Sequence, residues 1–447
     1  MCATPYALPA LAQAPPIAAP SLTPEQADIV RKVLDKSESH GLKAYPTTDD
    51  PASVTAALLR YARDVHVGRM QAADFPKLWG VHPQPFYPAL DLGQALADNR
   101  LGPWLDSLPP PYSGYQQLRK GLAKYREIGE QGGWKPVPEG PALSLGSQDP
   151  RVAALRVRLA VEDSDIATTG PFDENLQKAV MSAQRRFGLK PDGVVAAGTL
   201  AALNQPVGQR VLQIIANMER WRWLPAKLPA TRVQVNSGAA IVTLFQDDRP
   251  VLSMKGVSGR VGDETPMLQS AIHSVVLNPP WNVPSSIATA ELWPKERKNP
   301  GYLARNGFRI IPIEGGGSRL QQSSEQSALG RFKFDFDNPY GVYLHDTPSK
   351  LAFERISRQA SHGCVRVEKP AELAKALLAA DPAWSAEAID AAIDKGSTVR
   401  AKLPAPVPVL ILYWTAFAGA DGQMHFRSDP YGWDRLLLQK VGVLTNA

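Results

Sequence analysis

The sequence predicts a multidomain α+β protein, with a helical N-terminal part followed by a β-rich C-terminal part. Its 447 residues exceed what one hydrophobic core usually serves, which favours two to four domains. Apolar residues recur at helical spacing from residue 23 to about residue 223, whereas alternation with a period of two begins at Arg232. The succession of these two patterns indicates helical units first and a β-rich unit afterwards.

The N-terminal segment divides into a tail and a helical scaffold. Residues 1–22 are rich in proline and alanine, lack a basic segment and are predicted to be a tail or the remnant of a signal peptide. A helix then begins, because Thr23 can cap it, Pro24 suits its first turn and Gln26 completes a capping box. Residues 23–135 are therefore predicted to form a helical scaffold domain.

A compact three-helix module is predicted for residues 136–206. Apolar side chains recur at helical spacing in three runs, at 152–159, 176–187 and 199–203. The turn dipeptide Asp192-Gly193 separates the last two runs. Residues 207–230 continue the helical pattern and are predicted to link this module to the β-rich part.

Residues 231–447 are predicted to form the β-rich domain. Its one long interruption, residues 286–329, is polar, charged and punctuated by Gly315-Gly316-Gly317. This interval is too long for an ordinary hairpin loop, and from composition alone it could be a long flexible loop. The most apolar stretch, residues 407–420, is too short to cross a membrane and contains Pro408, so no transmembrane segment is predicted.

The chemistry is concentrated around Cys364, one of only two cysteines. It ends the stretch Ser361-His362-Gly363-Cys364, and His345 lies nineteen positions upstream. A cysteine is a poor nucleophile at its free pKa and needs an imidazole or another electropositive neighbour to become a thiolate near neutral pH. This layout therefore predicts a thiol nucleophile with His345 as its base.

Strand geometry predicts which side chains share a surface with Cys364. In a strand, successive side chains point to opposite faces, so Tyr343 and His345 share one face, as do Cys364 and Arg366. If the two strands are neighbours, these four side chains meet. Gly363 permits a sharp bend, and the amides beside it could bind the oxyanion of a tetrahedral intermediate.

The motif His345-Asp346-Thr347-Pro348, followed by Ser361-His362-Gly363-Cys364-Val365-Arg366, resembles the signature of L,D-transpeptidases. Three further stretches, residues 218–225, 277–284 and 413–417, resemble the large periplasmic branch of that family. Residues 192–199 resemble the motif of peptidoglycan-binding modules, although Ala196 stands where glycine is usual. The resemblance covers about residues 55–435.

This resemblance implies a fold and a reaction. The fold would be a mixed sheet sandwich with short helices, and the interval 286–329 would be a capping lid. Cys364 would attack the third residue of a tetrapeptide stem, release D-Ala and pass the acyl group to a neighbouring stem as a 3→3 cross-link, with no cofactor or metal. The implied catalytic residues are Cys364, His345, Gly363 and His362, and the implied substrate contacts are Tyr343, Arg366, Trp281, Asn282 and Ser361.

The partners implied are peptidoglycan stem peptides and glycan, with β-lactams of the carbapenem type as covalent inhibitors and the periplasm as the location. Lysine and arginine exceed aspartate and glutamate by 49 to 43, a mild excess that is compatible with an anionic wall polymer. The sequence shows no basic run interleaved with aromatic residues, which argues against a nucleic-acid partner.

Several alternatives stay open. L,D-carboxypeptidase action or attachment of a protein to the wall would pass through the same acyl-enzyme, and a non-catalytic wall-binding protein would not. A metal hydrolase lacks a supporting ligand pattern, and papain-like peptidases place cysteine before histidine. Arg366 could bind a substrate carboxylate or brace the site through Asp346 or Glu368. Asp346 itself should point away from His345, so that a backbone carbonyl orients the imidazole.

Overall fold

The computed structural model describes residues 20–445. Its α-helices are α1 Pro24–Leu34, α2 Pro51–His66, α3 Pro88–Ala97, α4 Leu101–Ser107, α5 Ser113–Glu130, α6 Arg151–Ala160, α7 Glu174–Arg186, α8 Ala197–Asn204, α9 Val207–Trp221, α10 Ser285–Ile287, α11 Trp293–Lys298, α12 Tyr302–Arg305, α13 Pro370–Leu378, α14 Ala386–Asp394 and α15 Trp433–Lys440. The capping box is confirmed: Thr23 accepts from the Gln26 amide, and the Gln26 side chain accepts from the Thr23 amide.

The helices of residues 113–221 share one hydrophobic core. Leu122 on α5, Leu155 on α6, Val180 on α7 and Ile214 on α9 are all buried in it. The same core includes aromatic and aliphatic side chains from the C-terminal segment, among them Trp414, Phe426, Trp433 and Leu437. The chain therefore returns from the β-rich part to pack against the helices, which its local sequence pattern does not indicate.

The β-rich part is built on one mixed sheet. The strands are β1 Arg232–Asn236, β2 Ile241–Gln246, β3 Arg249–Gly259, β4 Leu268–Leu277, β5 Trp281–Asn282, β6 Phe308–Pro312, β7 Ser318–Gln322, β8 Phe332–Phe336, β9 Leu344–His345, β10 Gln359–Ser361, β11 Val365–Val367, β12 Val399–Leu412, β13 Ala416–Ala418 and β14 Met424–Phe426. Nine of them follow the order β10-β3-β11-β9-β8-β4-β12-β1-β2.

The sheet closes on itself, because β2 also pairs with β3. The two layers of the predicted sandwich are thus parts of one continuous sheet, with a core that includes Val235, Leu277, Phe334, Leu344 and Ile411. The expected mixed α+β architecture with a β-rich C-terminal part is confirmed. In this arrangement β9 and β11 lie side by side near the middle of the sheet.

The interval between β4 and β8 is a folded insertion rather than a long loop. It contains a three-stranded sheet, β5-β7-β6, together with α10, a π-helical turn at Ala288–Leu292, α11 and α12. Its own small core consists of Val283, Ala288, Leu292, Leu303, Phe308 and Leu320. The polar composition that suggested a loop reflects the small size of this unit, which leaves most of its side chains exposed.

Within residues 20–445, no helix combines the length and the apolar character that crossing a membrane requires.

Candidate active site

The register of β9 and β11 brings the predicted residues together. These strands run parallel, with Val365 beside Leu344 and Arg366 beside His345. The Val365 amide donates to the Tyr343 carbonyl at 3.1 Å, which places Cys364 next to Tyr343. Because side chains of paired residues lie on the same face, the four predicted polar side chains line one surface.

The opposite face of these strands explains this orientation. Leu344 and Val365 are at most 1% exposed and pack in the core of the sheet, as does Phe334 on the adjacent β8. A shift of one residue in register would move these apolar side chains to the surface and the polar ones into the core. The hydrophobic alternation therefore holds Cys364 and His345 on the outer face.

Lys333 joins this surface and was missed by the sequence interpretation. It pairs with His345 across β8 and β9, and its Nζ lies 4.3 Å from the ring centroid of Tyr343 and 2.7 Å from Asp335. The signal was available, since Lys333 and Asp335 alternate with three phenylalanines in residues 332–336. What the sequence could not show is that β8 lies beside β9.

The imidazole of His345 is oriented by a backbone carbonyl. Its Nδ1 lies 2.5 Å from the Asp346 carbonyl oxygen, an acceptor that requires the hydrogen on Nδ1 and makes Nε2 the unprotonated nitrogen of the neutral ring. The expectation that a backbone carbonyl orients this imidazole is confirmed. Burial, followed by the charge of Arg366, lowers the pKa of His345 to about 3, so the imidazole is neutral at pH 7.

The thiol is also neutral in the resting site. Burial raises the pKa of Cys364 above its ordinary value, although hydrogen bonds from Tyr343 and the charges of Lys333 and Arg366 act in the opposite direction. This differs from the expected thiolate near neutral pH, since the sheet desolvates the sulfur more than its neighbours stabilise the anion. A thiol on the same face as a neutral imidazole can still react if the proton moves as the sulfur attacks.

The protonation state predicts how alkylation of Cys364 depends on pH. With a raised thiol pKa, the rate of reaction with iodoacetamide should rise about tenfold per pH unit between pH 7 and 9, following the thiolate fraction. The measurement is peptide mass spectrometry, which separates Cys364 from Cys2. A rate that stays constant from pH 6 to pH 8 would indicate a resting thiolate–imidazolium pair instead.

The turn before Cys364 is built by Ser361, Gly363 and Thr265. The Ser361 hydroxyl donates to the Cys364 carbonyl at 2.5 Å and accepts from the Gly363 amide at 3.2 Å, and the Thr265 hydroxyl donates to the Gly363 carbonyl at 2.8 Å. Gly363 has a φ angle of 107°, a backbone conformation that residues other than glycine rarely adopt. Ser361 is buried and accepts the hydrogen bond of the Gly363 amide, so we expect Ser361 to stabilise the turn. The Gly363 amide is then not available to a substrate, and we expect the Cys364 amide to donate to the oxyanion.

Arg366 has no carboxylate partner among residues 20–445. The two acids considered for bracing it are engaged elsewhere, because Asp346 pairs with Lys350 and Glu368 lies 3.6 Å from Lys255. Its buried Nε also makes no hydrogen bond in the described part of the chain. An unpaired guanidinium on the same face as the thiol is suited to a carboxylate ligand.

Asp346 supports the backbone beneath the site. Its buried carboxylate accepts from the amides of Arg331 at 2.8 Å and Thr347 at 2.6 Å. We expect Asp346→Ala to lower the free energy of unfolding by about 1–3 kcal/mol, because two buried amides lose their acceptor. Chemical denaturation measures this, and the exposed Asp337→Ala is the control.

If Asp346 acts only through the fold, alkylation of Cys364 at pH 8 should change less than about twofold in folded Asp346→Ala, since the His345 acceptor is a backbone atom. A selective loss of thiol reactivity at unchanged stability would contradict this role.

The insertion contacts the site at two points. Glu291 Oε1 lies 2.6 Å from His362 Nε2 and 3.5 Å from Arg260. Trp281 is close enough to Tyr343 to lower the pKa of its hydroxyl, which burial raises more strongly. Glu291 carries no sequence signal, because it is 71 residues from its partner. Asn282 does not join this cluster; its side chain is exposed and accepts from Gln321 at 2.8 Å within the small sheet.

Comparisons with known proteins match three regions of the chain. Residues 230–399 match the YkuD family, described as the L,D-transpeptidase catalytic domain. Residues 19–122 match the family described as the Scaffold domain, and residues 148–203 match the "Putative peptidoglycan binding domain". The site described above lies within the first of these regions.

A curated protein from Haemophilus influenzae, named "Putative L,D-transpeptidase", is 30% identical over 217 residues. The match covers 45% of this chain and 44% of that protein, so less than half of each is aligned. Among solved structures, the L,D-transpeptidase from Xylanimonas cellulosilytica is 20% identical, covering 62% of this chain and 100% of that one, with a TM-score of 0.20. L,D-transpeptidase 3 from Mycobacterium tuberculosis, with a faropenem-derived adduct, is 14% identical over 41% of this chain and 60% of that one, with a TM-score of 0.22.

Proposed function

We propose that this chain, whose residues 230–399 are a YkuD-type L,D-transpeptidase catalytic domain, forms 3→3 cross-links between peptidoglycan stem peptides through an acyl-enzyme on Cys364. The observation that carries the proposal is the register of β9 and β11, which aligns Cys364, Tyr343, His345 and Arg366 on one face. A nucleophile, a base, a phenol and a guanidinium on one surface suit acyl transfer to and from a carboxylate-bearing peptide.

The first half-reaction follows from the protonation states. Cys364 Sγ attacks the carbonyl carbon of the third stem residue while His345 Nε2 takes the thiol proton, and the Cys364 amide donates to the carbonyl oxygen as it becomes negative. The carbon–nitrogen bond to the terminal D-Ala then breaks, and His345 returns the proton to the leaving amine. Cys364 is left as a thioester, and His345 is neutral again.

The second half-reaction reverses the proton movements. The side-chain amine of the diamino acid in a neighbouring stem attacks the thioester, His345 accepts a proton from this amine, and the thiol leaves with the proton that His345 gives back. One amide bond is broken and one is formed, so no energy source or cofactor is needed. Arg366 is suited to hold a stem carboxylate during both steps.

The insertion is suited to the role of a lid. Glu291 of the insertion binds His362, two residues before Cys364, and Trp281 of the insertion influences the pKa of Tyr343, the neighbour of Cys364 across the two strands. A cover at this position would reduce the access of water to the thioester and favour amine attack over hydrolysis. L,D-carboxypeptidase action is the second candidate function, because Cys364 remains partly exposed in this arrangement.

The products of tetrapeptide-bearing muropeptides, resolved by mass, test the proposal. Cross-linked dimers with loss of D-Ala are expected. Tripeptides alone would identify a carboxypeptidase, attachment to an added protein would identify an anchoring enzyme, and unchanged substrate would leave only a wall-binding role. The same mechanism predicts acylation of Cys364 by carbapenem-type β-lactams, since their ring carbonyl is a strained amide. A wall substrate also favours a periplasmic location.

A further inference from the structure

A cavity of about 810 Å³ lies between the matched peptidoglycan-binding region, helix α9 and one end of the catalytic sheet. Its wall includes Gly198 and Ala201 on α8, the turn at residues 238–240 and residues 356–359, which precede β11. Cys364 does not line it. The volume is within the range of sites that bind small molecules or short peptides.

Four arginines line this cavity: Arg210, Arg358, Arg427 and Arg435. Within residues 20–445 none of them lies within salt-bridge distance of a carboxylate. The two acids of the wall are engaged elsewhere, because Asp434 pairs with Arg220 at 2.5 Å and Asp429 accepts from the Tyr413 hydroxyl at 2.5 Å. The wall therefore carries four guanidinium groups against two carboxylates, and one of these carboxylates pairs with Arg220, which is outside the wall.

Burial destabilises the charged form of two of these arginines, Arg210 and Arg427. Burial lowers the pKa of Arg210 and of Arg427 to about 10. Their hydrogen bonds go to neutral acceptors, at 2.8 Å from Arg210 to the Ala202 carbonyl and 2.7 Å from Arg427 to the Arg186 carbonyl. A buried cation whose hydrogen bonds all go to neutral acceptors is stabilised by an anion that enters beside it.

The remaining polar lining is rich in amides. Gln205, Gln209 and Gln439 line the same cavity, and a carboxamide can both donate to and accept from a peptide backbone. Arginines with amides suit a peptide that carries carboxylates, whereas a neutral glycan offers only uncharged acceptors and no anion for the guanidinium groups. This points to the stem peptide rather than to the sugar chain.

We propose that this cavity is a second peptidoglycan-binding site. It binds the acidic stem peptide of another peptidoglycan strand while a first stem peptide reacts at Cys364. This inference rests on the proposed function, since it takes its ligand from that reaction. Residues 356–359 in the cavity wall lead directly into the turn at Ser361, so a peptidoglycan strand held here stays near the turn that carries Cys364. Such a site would raise the local concentration of stems at the enzyme.

The test compares two charge reversals on helix α15. Arg435→Glu changes an exposed cation of the cavity, and Lys440→Glu changes an exposed cation of the same helix outside it. Both variants are made in the Cys364→Ala background, and calorimetry measures binding of a disaccharide tripeptide with free carboxylates. We expect Arg435→Glu to weaken this binding at least about fivefold and Lys440→Glu less than about twofold.

A ligand whose carboxylates are converted to carboxamides provides the second measurement. We expect it to bind at least about fivefold more weakly than the acidic ligand and to be insensitive to Arg435→Glu. Equal affinities of the two variants for the acidic ligand, equal affinities of the acidic and amidated ligands, or no binding at all would overturn the proposal.

A separate measurement, acylation by a carbapenem, tests the proposed function itself. With Cys364 present, acylation by a carbapenem should proceed equally in Arg435→Glu and in the unaltered chain, because Arg435 lies outside the catalytic face. No adduct in either protein would contradict the acyl-enzyme, whatever the binding data show.

Discussion

Cys364→Ala is expected to lose D-Ala release from tetrapeptide stems by at least about a thousandfold, because no thioester can form without the sulfur. The sheet offers no replacement for it, since Tyr343 and Lys333 lie on the same face but cannot form that thioester. Initial rates by mass spectrometry measure the loss, and intact mass should show that the carbapenem adduct disappears as well.

The second cysteine provides a matched control for this variant. Cys2→Ala removes the other thiol of the chain and should leave both turnover and adduct formation unchanged. Because Cys364 is small and partly exposed, its replacement should cost less than about 1 kcal/mol of stability, so lost activity would not reflect unfolding. Turnover that survives in Cys364→Ala would contradict the assignment of the nucleophile.

Glu219→Gln should cause the largest loss of stability among the substitutions considered. Glu219 is fully buried on α9, where its carboxylate lies 2.6 Å from Arg222 Nη1 and 3.1 Å from Arg69 Nε. Removing the charge leaves two guanidinium groups buried without their anion, which costs about 3–5 kcal/mol when one partner of a buried pair is lost.

The cluster of Glu219, Arg69 and Arg222 has further contacts, which show why the loss of stability should extend beyond α9. Arg69 belongs to the scaffold region, and Arg222 also donates to the His40 carbonyl at 2.5 Å and to the Tyr115 hydroxyl at 3.1 Å. Denaturant unfolding at pH 7 measures the loss, with the exposed Glu139→Gln as the control. A midpoint equal to that of the control would show that the cluster contributes little.

Much of the candidate site could be predicted from sequence because it depends on local geometry. The period of two in a strand places Tyr343 with His345 and Cys364 with Arg366 whatever the rest of the chain does. The positive φ of Gly363 and the capping box at Thr23 are likewise properties of a few adjacent residues. Only the prediction that the two pairs of side chains meet needed a further assumption, that β9 and β11 are neighbours, and the register confirms it.

Other features depend on which distant segments meet. Lys333 and Glu291 reach the site only through the pairing of β8 with β9 and the fold of the insertion. The C-terminal aromatic residues could not be assigned to the helical core from their own pattern, because a buried strand reads the same against either core. The four arginines that line the 810 Å³ cavity are spread over 226 positions, from Arg210 to Arg435.

The sequence by itself predicted Cys364 as the nucleophile and His345 as its base, and it determined the face that they share, because side-chain direction along a strand follows from the backbone. Only the tertiary structure decided that the thiol and the imidazole are both neutral at rest, and that Arg366 is left without a partner. The reason is that a pKa depends on burial and on charges brought from other strands, which no local pattern records.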